Sequence, residues 1–173
     1  YITNGDLSGV HSARTTYGAD LVALIVYIPG SCGIGWVGPF KNYMYSVTGY
    51  NCATGQYTFG HEIGHNLGCF HDRGTENECD TTANPGYQYG WRDPSANFRT
   101  VLAYNCVAGQ CDGNAGGGCS RVPYFSNPST TYNGQAVGNA DNDTARKIND
   151  VRATVAAYYP HSITVTLSPT TSP

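Results

Sequence analysis

Apolar positions recur along this chain in two different periods, and each change of period marks an element. Leu7, Val10, Arg14 and Tyr17 fall three or four residues apart, and Gly18 follows; the spacing predicts a helix closed by the glycine. The run LVALIVYI at 21–28 contains no polar position. It predicts a strand apolar on both faces, central in a sheet with parallel neighbours. Pro29 and Gly30 end it. Short aromatic and β-branched runs at 33–38 and 43–50 predict two more strands, and 57–67 predicts a helix that carries histidines. From 68 to 137 the periodicity is lost. Asn-Pro occurs at 84–85 and 127–128, and three glycines stand at 116–118, so little regular structure is expected there. Helical period returns over 141–159, where Ala145, Ile148, Val151, Val155 and Tyr158 line one face before Pro160. The expected fold class is α/β in the α+β sense: a twisted mixed sheet, a histidine-bearing helix, a loop-rich later part and a C-terminal helix.

Composition narrows the setting. A chain of 173 residues suits one domain with a buried core. The formal net charge is −3, from nine Lys+Arg against twelve Asp+Glu, and no basic cluster appears, which argues against nucleic acid as a partner. No apolar run approaches the length of a membrane span. Seven cysteines stand at 32, 52, 69, 79, 106, 111 and 119. None forms the close pairs of a zinc ribbon, so they predict disulfides, an oxidising compartment and a secreted, extracellular protein. The odd count leaves one thiol over. The chain starts at Tyr1 without Met, as a processed piece of a longer precursor would. Residues 1–160 form the expected folded unit. The Thr/Ser/Pro-rich stretch 161–173 reads equally as a disordered terminus or as a linker to a further module.

Three of the five histidines fall within HEIGHNLGCFHD, residues 61–72. On a helix, positions four apart share a face, so His61 and His65 can aim ring nitrogens at one point. Glu62, the next residue round, is placed to reach a water on that point rather than to ligate. Gly68 readily takes the left-handed conformation that ends a helix, and the chain can then swing His71 back as a third ligand. Three neutral imidazoles leave a tetrahedral Zn2+ one position open for water, the mark of a catalytic site. The ligand type favours zinc; an iron triad would need Glu62 or Asp72 as a ligand. Asp72 is better read as an acceptor supporting His71 or as a cap for the turn.

This stretch resembles the signature HExxHxxGxxH of the metzincin metallopeptidases. FRTVLAY at 98–104 is similar to the methionine turn of their adamalysin/reprolysin-like branch, and PYFSNP at 123–128, with TYNG at 131–134, to the segment after it. CATGQYTFGHE at 52–62 resembles bacterial relatives, including the peptidyl-Asp metallopeptidases. The turn departs from the pattern: Leu102 stands where the family has Met, and the only methionine is Met44. Leucine keeps the apolar volume of a floor beneath the ligands. Tyr104 matches a position where some metzincins place a tyrosine that assists the metal or the transition state; an aromatic core residue is the plainer reading and is preferred.

The resemblance implies a metzincin-like fold, one catalytic zinc held by His61, His65 and His71, and Glu62 as general base. It implies a protein or peptide substrate laid along an edge strand before the zinc helix, for which Gly33, Ile34, Gly35, Trp36 and Val37 are the candidates. Residues 122–125 would wall the pocket beyond the cleaved bond. Arg99 and Arg121 could favour acidic substrates, but plain surface charges are the more frequent case. Disulfides Cys32–Cys52, Cys69–Cys79 and Cys106–Cys119 are proposed, the last from the branch resemblance, with Cys111 left over. Asn142-Asp143-Thr144 has the form of a glycosylation acceptor. The expected function is a monomeric, secreted zinc endopeptidase; the alternatives are a zinc hydrolase of cell-wall peptide amides and a non-catalytic zinc-stabilised binding module.

Overall fold

The computed structural model describes residues 8–113 and 118–159; Leu7, Gly116, Gly117 and the tail 161–173 lie outside them. The chain runs α1 (Ser8–Tyr17), β1 (Val22–Val26), β2 (Gly33–Gly35), a 3-10 turn (Lys41–Tyr43), β3 (Tyr45–Gly49), α2 (Thr58–Asn66), β4 (Phe70–Asp72) and α3 (Arg73–Glu76). The short strands β5 (Tyr89–Gly90), β6 (Arg92–Asp93), β7 (Phe98–Arg99), β8 (Ser120–Arg121), β9 (Thr131–Tyr132) and β10 (Gln135–Ala136) follow, and α4 (Thr144–Val155) comes last. The fold is a mixed α/β one with small sheets, compatible with a metzincin-like architecture.

The first sheet has the order β1-β3-β2. β1 runs parallel to β3, with Val22 opposite Tyr45, and β2 runs antiparallel, with Gly33 opposite Thr48. The parallel neighbour expected for 21–28 is therefore present, but the central position is not: among the described residues β1 is a sheet edge, and Ile25 is 54% exposed. A run apolar on both faces reports two chemically similar faces, and that pattern alone does not fix how many strands flank it. β3 takes the central place instead, with Tyr45, Ser46 and Thr48 buried.

Helix α2 packs on this sheet. Asn66, fully buried, donates through Nδ2 to Trp36 O and Tyr45 O at 3.0 Å each. The helix ends where Gly68 takes φ 84°. Gly68 N–H donates to His65 O at 2.8 Å and Cys69 N–H to Gly64 O at 3.0 Å, the paired bonds of a Schellman closure. The reversal sends Cys69 inward to form a core cluster with Val101 and Leu102, against which Tyr57, Phe125 and Ile148 pack. A second cluster joins Phe98, Val122 and Val137.

The loop-rich part is held by side chains as much as by strands. Ser126 and Thr144 clasp each other: Ser126 N–H donates to Thr144 Oγ1, and Thr144 N–H to Ser126 Oγ, both at 2.8 Å. This seats the start of α4, which Asp143 caps by accepting from Arg146 N–H. Asn142 is 4% exposed and donates to Gly90 O at 2.8 Å. Its amide is a buried structural group, so the glycosylation form at 142–144 has no accessible acceptor here.

Disulfides join Cys32 to Cys52, Cys79 to Cys111 and Cys106 to Cys119. The pairing Cys69–Cys79 is corrected. Cys69 is a free thiol in the core, its Sγ facing Thr144 O, and burial pushes its pKa up to about 12. Cys79 lies beyond α3 and meets Cys111, the residue left over in the sequence reading. The Schellman closure, which aims residue 69 at the core, is the reason.

Candidate metal centre

Two of the three histidines stand one turn apart on α2, and the third lies on β4 after the Gly68 reversal. His65 Nε2 is 3.1 Å from His61 Nε2 and 3.1 Å from His71 Nε2. Each ring is fixed from behind. His61 Nδ1 faces Val101 O at 2.8 Å, and His65 Nδ1 faces Cys69 O at 2.8 Å. A carbonyl only accepts, so those Nδ1 atoms carry the protons and the Nε2 atoms present lone pairs. Burial, and the other imidazoles beside them, lower His61 to about 3 and His65 to about 4, which keeps both rings neutral near pH 7. Lone pairs 3.1 Å apart repel unless a cation lies between them. The three ligand atoms lie within 4.8 Å of one another, so the donor set fits a divalent ion bound by imidazole.

His71 Nδ1 meets Glu76 Oε1 at 2.7 Å. Glu76, at the end of α3, thus orients the third ring, and the sequence reading missed it. An acidic residue five positions after the histidine was the only signal, and it gains meaning only once α3 folds back. Asp72, fully buried, does not take that role. Its carboxylate accepts from Thr75 N–H at 2.9 Å and Tyr104 N–H at 2.8 Å, and pairs with Arg92 Nη1 at 2.7 Å. It therefore caps α3 and anchors the chain leaving the turn at Leu102.

Glu62 is buried beside the histidines, and burial raises its carboxyl to about 7, against the opposing pull of Arg121. Its side chain lies along β2. A Cβ at residue 35 would stand 2.8 Å from Glu62 O, and one at residue 33 would overlap the Glu62 carboxylate. The two glycines are what let the strand approach so closely. Gly33, Ile34, Gly35 and Val37 line one cleft of about 340 Å³ with the three histidines, Glu62 and Tyr104. Trp36 is half-exposed and packs on Tyr43. β2 is the terminal strand of its sheet among the described residues, and Ile34 is 70% exposed.

Leu102 is fully buried under α2, close enough that a Cβ at residue 64 would stand 2.8 Å from its Cδ2. Tyr104 is not a core residue, which corrects the preferred sequence reading. It is 47% exposed, with its ring 4.2 Å from that of His71 and 6.2 Å from that of His61. Its own N–H is held by Asp72, so the ring is turned out into the cleft. Of residues 122–125, Pro123 and Phe125 line a separate apolar cavity of about 580 Å³ with Val101, Tyr57 and Gly60. No helix among the described residues is long and apolar enough to cross a membrane.

The family model for the Reprolysin-like metallo-peptidase family M12B matches residues 2–143. The chain belongs to this family. Among curated relatives, the peptidyl-Asp metalloendopeptidase of Stenotrophomonas maltophilia (strain K279a) is 33% identical over 161 residues, covering 90% of this chain and 36% of the relative. That of Xanthomonas campestris pv. campestris is 34% identical, covering 91% and 35%. That of Pseudomonas fragi is 36% identical over 112 residues, covering 64% and 65%. The chain thus spans about a third of the length of the first two. A solved structure described as "Structure of a chaperone-substrate complex" superposes on 92% of this chain and 24% of its own, with a TM-score of 0.62 at 22% identity. That likeness concerns the fold alone.

Proposed function

We propose that this M12B chain is the catalytic unit, residues 1–160, of a secreted zinc endopeptidase that acts at peptidyl-Asp bonds. The observation that carries the reading is the convergence of three Nε2 lone pairs beside a buried carboxylate. Membership of a metallopeptidase family and relatives called peptidyl-Asp metalloendopeptidases support it. Three disulfides favour an oxidising, extracellular setting.

His61, His65 and His71 would hold the zinc. When bound, the ion supplies Lewis acidity that polarises a carbonyl and makes water acidic near neutral pH. The remaining work falls to the chain. Glu62 takes a proton from the attacking water on its carboxylate and returns it to the leaving amine. Burial raises this carboxyl above its ordinary value in the metal-free chain, and a cation bound beside it would favour the ionised form that accepts a proton. The free edge of β2 aligns an extended peptide by main-chain hydrogen bonds, and the exposed Ile34 touches its side chains. Glu76 would keep His71 oriented toward the ion, and Tyr104, whose ring lies against His71 in the cleft, would support the developing charge.

The test is Glu62→Ala. The zinc content of the purified variant should match the wild type, while chelator-sensitive cleavage of an Asp-containing peptide should fall by at least about 10²-fold. Equal turnover by variant and wild type would refute Glu62 as the base. Inactivity of both, with zinc bound, would favour a zinc-stabilised binding module.

A further inference from the structure

Two guanidinium groups meet at the carbonyl of Ala103, next to the cleft residue Tyr104, and neither forms an ion pair among the described residues. Arg99 and Arg121 sit opposite each other on the parallel pair β7 and β8, and both are half-buried. Arg99 Nη1 donates to Ala103 O at 2.7 Å, and Arg121 Nη2 reaches the same oxygen at 3.3 Å. Arg121 Nη1 donates to Gln56 O at 3.0 Å on the exposed side, and its Nε is buried with no hydrogen-bond partner among the described residues. Among those residues the ion pairs of arginine belong to Arg92 and Arg146; neither Arg99 nor Arg121 meets a carboxylate. Burial and the neighbouring guanidinium lower Arg99 to about 10.

Position gives the pair its meaning. Gln56 precedes Tyr57, which lines the apolar cavity, and Ala103 precedes Tyr104, which lines the metal cleft. Arg121 therefore bridges the chain stretches that wall the two. Its charge also reaches the centre, since it lowers both Glu62 and His61. Two cations held together away from solvent repel each other and lose hydration; the carbonyls of Ala103, Gln56 and Cys119, and the carboxylates of Glu62 and Asp72 beyond ion-pair distance, offset that cost in part. An arriving carboxylate would reduce what remains, and a planar guanidinium can receive both oxygens at once. A charge with no ion pair in the free protein that gains one from the matching ligand lets a site discriminate.

We propose that Arg121, backed by Arg99, is the specificity-determining residue that receives a carboxylate of the substrate on the leaving-amine side of the cleaved bond. This rests on the endopeptidase reading of the zinc site. The carboxylate has two sources: an acidic side chain next to the cleaved bond, or the free C-terminus of a short leaving group.

The experiment uses the zinc-loaded 173-residue chain and peptides of one frame carrying Asp, Asn or Ala after the cleaved bond, each with a free or an amidated C-terminus. The wild type should prefer Asp over Asn by about 10²-fold or more in kcat/KM, because a site built for a charged partner rejects its neutral isostere strongly. In Arg121→Gln the Asp-to-Asn ratio should fall to within about fivefold, and Arg121→Lys should keep part of it. If amidation rather than Asn abolishes the wild-type preference, and Arg121→Gln erases that difference, the C-terminus is the source and the assignment stands. The assignment is overturned if Arg121→Gln retains the full ratio. It is also overturned if both variants lose Asp and Ala peptides in equal proportion, which would mean a structural role. A wild type that cleaves all the peptides equally sinks the assignment alone. A wild type that cleaves none sinks the peptidase reading and takes the assignment with it.

Discussion

Glu76 touches one atom of the centre, and that contact sets what the third imidazole can do. His71 is the least buried of the three imidazoles, and it sits on a three-residue strand rather than a helix. Its ring is held by the 2.7 Å contact from Nδ1 to Glu76 Oε1 and by the face of Tyr104. A carboxylate behind a ligating imidazole fixes its tautomer and raises its basicity. Glu76→Ala should therefore weaken zinc about 10- to 100-fold in competition with a chromophoric chelator, with the disulfides and helix content unchanged. Unaltered affinity would show that Tyr104 alone orients the ring. Legibility in the sequence follows the range of each contact. His61, Glu62 and His65 were readable because four-residue spacing on a helix is a local fact. Glu76 and the pairing of Arg99 with Arg121 were not, because they depend on where α3 folds back and how β7 meets β8.

Among the elements, α2 and β2 define the cleft together. The sequence period located both, but not the reason for the pattern Gly-Ile-Gly. The structure supplies it: the strand lies so near the helix that side chains at 33 and 35 would strike Glu62. Gly35→Val should therefore push β2 off α2 and cut kcat/KM by at least about tenfold, since a displacement of about 1 Å at a positioned group can cost 10²-fold. The circular dichroism of the variant should stay close to wild type, because β2 has only three residues. Full activity in Gly35→Val would mean that substrate does not run along β2. Two sequence expectations failed at this scale for one common reason. The rank of β1 within its sheet and the partner of Cys79 are set by contacts distant in sequence. Apolar runs and cysteine spacing report only which groups want burial or pairing, not with whom.

For the molecule as a whole, the site stores charge preferences that oppose folding, and they appear when the metal is removed. Glu62 is raised from 4.5 to about 7 in the folded chain. The folded state thus holds this proton more tightly than the unfolded one, so the stability it contributes is complete below pH 4.5 and is lost as pH rises to about 7. His61 and His65 are lowered to about 3 and about 4. Their contribution is complete above about pH 6.5 and is lost as pH falls through those values. Other buried carboxyls titrate too, Asp72 among them, so a single melting curve against pH mixes several slopes. Comparing the wild type with Glu62→Gln isolates one of them. In chelator-treated protein the two should be about equally stable near pH 4.5. At pH 7.5 the glutamine variant should be the more stable by up to about 3 kcal/mol in urea unfolding, because burying its neutral amide costs less than burying a carboxylate. Zinc should shrink the gap, since a cation nearby favours the ionised form of Glu62. A difference between the two proteins that stays constant from pH 4.5 to 7.5 without metal would mean that Glu62 is hydrated in the folded state.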